Sequence, residues 1–197
     1  MKKLFAVAAF AVAAAVAMPA AFAGLPVGEK APDFDATAAV GGKTFTFKLS
    51  DALKKGPVVV YFFPAAFTPG CTEETHQFAT AAEKFTAAGA TLIGVTGGAK
   101  TADGKYVNAA DNIPRLIEFS AQHCSDKFPI GAVSAATAKA YGVPSEMKEG
   151  WTDRTSFVIS PEGKILVSFT NPGANDHVEK TLAAVQAWKA ANPHAGH

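Results

Sequence analysis

Two cysteines, five histidines and a scatter of hydroxyls carry whatever nucleophilic or redox chemistry this 197-residue chain performs. Cys71 has the most informative neighbours. It follows Thr68-Pro69-Gly70 and precedes Thr72-Glu73-Glu74, a pattern that opens a helix. Threonine suits the N-cap, and proline suits the first helical position because its missing N–H would have no partner there. A first helical turn presents unpaired backbone N–H groups and the positive end of the helix dipole, which favours thiolate over thiol. A thiol of ordinary pKa is only a few per cent ionised at pH 7, and lowering that pKa to about 6 multiplies the nucleophile roughly thirtyfold. The competing account of any cysteine is a small buried apolar residue.

The elements around Cys71 argue against that account. Residues 58–63, Val-Val-Val-Tyr-Phe-Phe, are bounded by Pro57 and Pro64 and read as a strand buried on both faces. A helix over 69–88 follows, with Phe78, Ala82 and Phe85 on one stripe and Gly89 as its stop, and then a second buried strand over 90–96. The two strands are therefore parallel, and Cys71 falls where a strand ends and a helix begins, the usual crevice of an open α/β sheet. Upstream, residues 36–49 read as a hairpin about Gly41-Gly42, and Ser50 as the cap of a short helix over 51–55. Downstream come a polar loop over 97–112, an amphipathic helix over 113–123 that ends beside Cys124, and a short strand over 128–133. A helix over 134–141, a loop over 144–151, a hairpin over 155–170 and a last helix over 174–191 complete the chain, the last with Val178, Leu182, Val185 and Trp188 on one face. This order predicts an α/β thioredoxin-like fold: a mixed central sheet, flanking helices and an N-terminal β-hairpin.

Residues 1–23 stand apart. Lys2-Lys3, a uniformly apolar stretch over 4–17, the break at Met18-Pro19 and the small-x-small site Ala21-Phe22-Ala23 predict a cleaved secretory signal peptide, since the apolar stretch is short for a membrane span. Residues 24–197 then form one domain. Removing two lysines takes the net charge of +1 just below zero, which gives no support to nucleic-acid or anionic-membrane binding. An exported compartment permits disulfides, but two cysteines in a domain of this size are not a stapling framework, and a redox or catalytic use gains weight.

Pro64-x-x-x-Thr68-x-x-Cys71, extended as Thr68-Pro69-Gly70-Cys71-Thr72-x-Glu74, resembles the active-site signature of the peroxiredoxins, in the form of their bacterioferritin comigratory protein (PrxQ-like) branch of the AhpC/TSA superfamily. Ala31-Pro32-Asp33-Phe34, Ala140-Tyr141-Gly142-Val143 and Arg154-Thr155-Ser156-Phe157-Val158-Ile159 match further segments, so the resemblance spans nearly all of residues 24–197. It implies that Cys71 is the peroxidatic nucleophile, attacking a peroxide oxygen to give a sulfenic acid. It further implies that Thr68 bonds sulfur and peroxide, that Arg154 supplies a fixed cation, and that Pro64 closes over the pocket. The bland readings are an N-cap for Thr68, a strand terminator for Pro64 and a surface charge for Arg154.

The chain departs from the branch at one place. A resolving cysteine commonly stands five residues after the peroxidatic one; here that position is His76. Cys124 is the remaining candidate, with an inert buried Cys124 and an external thiol as the alternative. Glu73 and Glu74 read as dipole-complementing residues of the first turn, Trp151 and Trp188 as packing residues, His123 as a surface histidine and His194-x-x-His197 as a frayed tail. The resemblance implies a thiol-dependent peroxidase acting on hydrogen peroxide and small organic hydroperoxides without metal or organic cofactor. An exported thioredoxin-like protein or small thiol would be the reductant, the location periplasmic, and the assembly a monomer or weak homodimer. A thiol-disulfide oxidoreductase of the same fold is the alternative, disfavoured because residues 68–74 hold one cysteine, and a non-enzymatic module stapled by Cys71 and Cys124 is a third.

Overall fold

The computed structural model describes residues 24–193; the expected signal segment and the terminal His194 and His197 lie outside them. In chain order, β1 (Asp35–Val40) and β2 (Lys43–Lys48) form an antiparallel hairpin turned by Gly41 and Gly42, whose φ angles of 57° and 71° demand glycine at little cost. Helix α1 (Leu49–Leu53) leads to β3 (Val58–Phe62), the two-residue β4 (Ala65–Ala66), α2 (Pro69–Ala87) and β5 (Thr91–Thr96). Then follow β6 (Gly98–Lys100), β7 (Tyr106–Asn108), α3 (Ile113–Phe119) and β8 (Ile130–Ala132). Helix α4 (Ala135–Ala140), the hairpin of β9 (Thr155–Ile159) and β10 (Ile165–Thr170), and α5 (His177–Ala191) close the chain.

Seven strands make one mixed sheet in the order β10-β9-β3-β5-β8-β1-β2. Strand β3 lies parallel to β5, as the hydrophobic runs predict, and antiparallel to β9. Alternation along β3 divides the core between the two faces of the sheet. Val59, Tyr61 and Phe63 join α2 and α3 residues on one face. Val58, Val60 and Phe62 pack with Phe34, Tyr141 and Phe157 on the other. Tyr61 stacks on Phe78 with ring centroids 4.2 Å apart, which ties the strand before Cys71 to the helix that carries it. Truncating either ring to alanine removes about 3–5 kcal/mol of stability.

Four expectations need correction. The short helix begins at Leu49, and Ser50 is not its cap; the Ser50 N–H donates instead to the Asp33 carboxylate at 3.0 Å, a cap from far upstream that local sequence does not show. The 97–112 stretch is not a plain loop: β6 pairs with β4 and β7 in a second, three-stranded sheet. The helix over 113–123 changes at Ser120 into a π-helical turn, Ser120–Cys124, so Cys124 sits inside it rather than beside it. Helix α5 starts at His177, three residues later than expected. Residues 171–173 are held in a turn by the Gly173 N–H donating to Asn171 Oδ1 at 3.0 Å, and Asp176 adopts a left-handed φ of 71°.

Candidate active site

Strand β3 delivers the chain to Phe63 and Pro64, and α2 starts at Pro69, so the crevice expected from the sequence forms at the C-terminal end of β3. Cys71 is in the first turn of α2, almost wholly buried, at the floor of a cleft of about 480 Å³. Pro64, Thr68 and Arg154 line the cleft with it, and Tyr106, Met147 and Trp151 form an apolar wall. Thr68 occupies the N-cap position, but its hydroxyl does not cap. It donates to the Ala65 carbonyl at 2.9 Å, while its own carbonyl accepts from the Thr72 N–H. The cap reading is therefore wrong for the side chain, which is fixed at the rim of the cleft.

Sheet register brings in Arg154. Phe62 pairs with Thr155, so the residue before β9 must emerge beside the residue after β3. The Thr152 hydroxyl secures the approach by donating to the Phe63 carbonyl at 2.8 Å. The Arg154 guanidinium is buried, not a surface charge. One terminal nitrogen donates to Cys71 Sγ at 3.5 Å, the other to Glu74 Oε2, and Nε donates to the Pro172 carbonyl at 3.0 Å. Gly70 eases this approach: a Cβ there would stand 3.2 Å from a guanidinium nitrogen, which would have to give by a few tenths of an ångström.

Glu74 is the main surprise. It is fully buried, not a surface residue complementing the dipole. Burial pushes its carboxyl up to about 8, with Arg154 pulling the other way. Burial works against the Arg154 charge too, but Glu74 and Cys71 outweigh it and hold the guanidinium above its ordinary range. The stripe Phe78-Ala82-Phe85, extended back one helical turn, passes through Glu74; that periodicity was the available signal. His177 is the second missed residue. It is buried at the start of α5, 3.7 Å from Glu74, and belongs to the line His177, Thr181, Val185 that α5 buries, one position off the expected face. Trp188 is half-buried, and Trp151 is buried against the cleft.

Cys124 is not part of the cleft lining described above. It is a free thiol, as Cys71 is, wholly buried in the π-helical turn. Burial pushes its pKa far up, with the nearby Ser120 hydroxyl opposing only in part. Tyr61 belongs to the same apolar cluster as both thiols; its hydroxyl is 3.2 Å from Thr75 Oγ1, and burial raises its pKa. His76, at the position where the branch often has a resolving cysteine, faces His123 across a 3.0 Å contact between Nε2 and Nδ1. This clip ties α2 to the turn that carries Cys124, so His123 is half-buried and partnered rather than a surface histidine. Next to it, Phe67 adopts a left-handed φ of 65°, which costs about 1–2 kcal/mol for an L-residue. It is held between the Arg115 guanidinium, 3.4 Å from its ring centre, and the rings of Phe119 and His123. The loop before Cys71 is thus clamped by the segment that ends in Cys124.

Among the described residues, no cluster of three or more metal-ligating side chains occurs, and no helix is long and apolar enough to cross a membrane. Comparison with known proteins agrees with the geometry. The AhpC/TSA family matches residues 27–168. Peroxiredoxin Bcp of Bacillus subtilis is 29% identical over 164 residues, covering 82% of this chain and 96% of that protein. The chloroplastic peroxiredoxin Q of Sedum lineare is 30% identical over 140 residues, covering 69% of this chain and 67% of that one. The crystal structure of peroxidoxin BcpB from Mycobacterium tuberculosis superposes with a TM-score of 0.67 at 27% identity, over 82% of this chain and 96% of that one. A signature on a helix start, a buried arginine delivered by sheet register and these relatives lead to one conclusion: the chain belongs to the AhpC/TSA family and is a peroxiredoxin of its Bcp/PrxQ branch, a thiol peroxidase of thioredoxin-like fold.

Proposed function

We propose that this peroxiredoxin reduces hydrogen peroxide and small organic hydroperoxides through a sulfenic acid on Cys71, and that Cys124 resolves it as an intramolecular disulfide. The observation that carries the reading is the Arg154 guanidinium, which donates to Cys71 Sγ from one nitrogen and to buried Glu74 from another. In the first step the Cys71 thiolate attacks one peroxide oxygen. The S–O bond forms as the O–O bond breaks, and the leaving hydroxide or alkoxide takes up a proton to give water or an alcohol. Charge shifts from sulfur to the leaving oxygen, and a fixed cation beside both needs no reorganisation as it does so. Thr68 stands at the rim with its hydroxyl proton given to the Ala65 carbonyl, so its oxygen is free to accept from the peroxide O–H, and Pro64 covers the pocket.

In the second step the Cys124 thiol displaces water from the sulfenic acid, leaving a Cys71–Cys124 disulfide, which an exported thioredoxin-like protein or small thiol reduces with two electrons and two protons. The step requires the π-helical turn to open, because Cys124 is buried and neutral where it stands. π-helical turns recur at functional sites, and this one ends in two left-handed residues, Ser125 and Asp126. The basic start, apolar stretch and small-x-small site of residues 1–23 support export, and a periplasmic location is proposed on that pattern, with a monomer or weak homodimer as the assembly.

The test is intact mass after stoichiometric hydrogen peroxide is added to the reduced protein. Rapid loss of two hydrogens, replaced by gain of one oxygen in Cys124→Ala, supports the two-cysteine cycle. No change within minutes at micromolar peroxide overturns the peroxidase reading, and gain of oxygen in the unsubstituted protein overturns the role of Cys124 alone.

A further inference from the structure

His177 lies outside the active-site signature, yet it contacts the supports of that site from behind. Its Nε2 is 3.1 Å from the Asn171 carbonyl oxygen, and its Nδ1 is 2.9 Å from Ser156 Oγ. A carbonyl only accepts, so the ring proton is on Nε2 and Nδ1 accepts from the serine hydroxyl. This neutral tautomer agrees with the direction in which burial drives the imidazole, below its ordinary pKa. The ring is wholly buried, stands edge-on to Phe169 and lies 3.7 Å from Glu74 Oε1. That oxygen has no hydrogen-bond partner among the described residues. The titratable and charged groups that bear on the ring are Glu74 from α2, Arg154 before β9 and Asp176 just before α5.

The Arg154 guanidinium has three partners: Cys71, Glu74 and the Pro172 carbonyl. His177 reaches both of the partners that are not the reacting sulfur. It fixes Asn171, and with it the turn that presents the Pro172 carbonyl, while Asn171 returns a backbone N–H to the Arg154 carbonyl at 3.2 Å. On its other side it closes off the free oxygen of Glu74.

We infer that His177 is a positioning residue for the peroxidase reaction: through the Asn171–Pro172 turn and the Glu74 carboxyl it aims the Arg154 guanidinium at Cys71. It does not touch the sulfur, and no proton passes through it. A guanidinium whose Pro172 and Glu74 anchors are loosened swings within its pocket, and misplacement of about 1 Å at a catalytic group costs up to a hundredfold in rate. The inference rests on Cys71 being the reacting thiol and Arg154 its cation.

The experiment measures the second-order rate at which hydrogen peroxide consumes the Cys71 thiol, by rapid quench and intact mass of the full chain, alongside thermal unfolding. His177→Phe fills the ring site against Phe169 but bonds nothing, and should slow the reaction about ten- to a hundredfold. His177→Gln, whose amide N–H reaches the Asn171 carbonyl, should stay within about threefold of the unsubstituted protein. In an Arg154→Gln background, His177→Phe should add less than about twofold, because the group it positions is already gone. A merely structural histidine gives a lowered melting temperature with an unchanged rate, or a loss of equal size in both backgrounds; either result overturns the inference. If His177→Phe does not fold, Ser156→Ala decides, since it removes only the hydroxyl that holds Nδ1. A fall of about threefold supports the inference, and an unchanged rate overturns it. A Cys71→Ser protein that still consumes peroxide sinks the underlying reading, whereas an inert Cys71→Ser protein beside an unimpaired His177→Phe protein sinks this inference alone.

Discussion

Cys71 and Cys124 belong to one apolar cluster and are almost equally hidden from solvent, at 1% and 0% exposure, yet their surroundings differ in kind. Cys71 lies at a helix start, beneath a cleft, with a guanidinium nitrogen 3.5 Å from its sulfur. Cys124 lies in a π-helical turn among aromatic rings, and burial drives its pKa far above the ordinary thiol value. Burial therefore does not separate the two thiols. The separation comes from what polar structure the protein brings to the sulfur, and here that structure is assembled from three places in the chain: α2, the approach to β9 and the turn before α5.

The harshest way to erase the difference is to remove the cation from Cys71. Arg154→Gln should lower the second-order rate of peroxide reduction about 10²–10³-fold, the range found when a preorganised charge-stabilising donor is lost. It should leave Cys124 as unreactive as before. Initial rates of peroxide loss across peroxide concentrations check this, and a rate within tenfold of the unsubstituted protein would show that the helix start alone activates Cys71. The converse substitution, Cys124→Ala, puts no new polar side chain in place of the buried thiol. Formation of the sulfenic acid should stay within about threefold, and the disulfide should vanish from the mass spectrum altogether. A first step slowed as strongly as in Arg154→Gln would mean that the two thiols are coupled before any disulfide forms.

Much of the Cys71 side was legible in the sequence, and much of its surroundings was not, for a physical reason. The strand of residues 58–62, the helix start at Pro69 and the parallel β3–β5 pair follow from hydrophobic period and capping chemistry, which act over a few residues. Arg154 came only through family resemblance, because its place beside Cys71 is fixed by the register of β9 against β3, a long-range property. Glu74 reads locally as a first-turn charge, and His177 has no local signal at all; each is buried because residues from distant elements meet around it. The Ser120–Cys124 π-helical turn has no periodic signature of its own, and the helix stripe runs smoothly into it. The role of His76 was legible only as an absence, the lack of a cysteine, whereas its partner His123 lies on another element.

The buried carboxyl sharpens the comparison through pH. With its folded-state pKa raised to about 8 by burial, Glu74 keeps its proton in the native protein where the unfolded chain has released it. The native state thus binds more protons, and stability falls as pH rises through that interval. His177 and His123 act in the opposite sense: burial lowers both below 6.5, so the stability they contribute is present above that value and lost as pH falls. The Glu74 effect is therefore isolated between pH 6.5 and 8, where unfolding free energy should drop by about 1–2 kcal/mol. Glu74→Gln, which still accepts from Arg154, should flatten that slope. Urea unfolding at both pH values checks it, and an unchanged slope would assign the pH dependence to other groups.

The smallest effect concerns the boundary between the two cysteines. His76 and His123 join α2 to the turn that holds Cys124 through one hydrogen bond of 3.0 Å, on a side chain exposed to water. Such a bond contributes about 0.5–1 kcal/mol. His76→Ala should leave the reaction of Cys71 with peroxide unchanged, since His76 is not among the residues that line the cleft. Amide hydrogen exchange over residues 120–124 should speed up by about two- to fivefold, the kinetic equivalent of that energy if the turn opens locally. If opening of this turn limits the encounter of Cys124 with the Cys71 sulfenic acid, disulfide formation accelerates by the same factor, and the two measurements rise together across His76→Ala and His123→Ala. Faster exchange without faster disulfide formation would place the limiting motion elsewhere, at the first turn of α2 around Cys71 itself, and the thiol with the polar surroundings would then be the one that has to move.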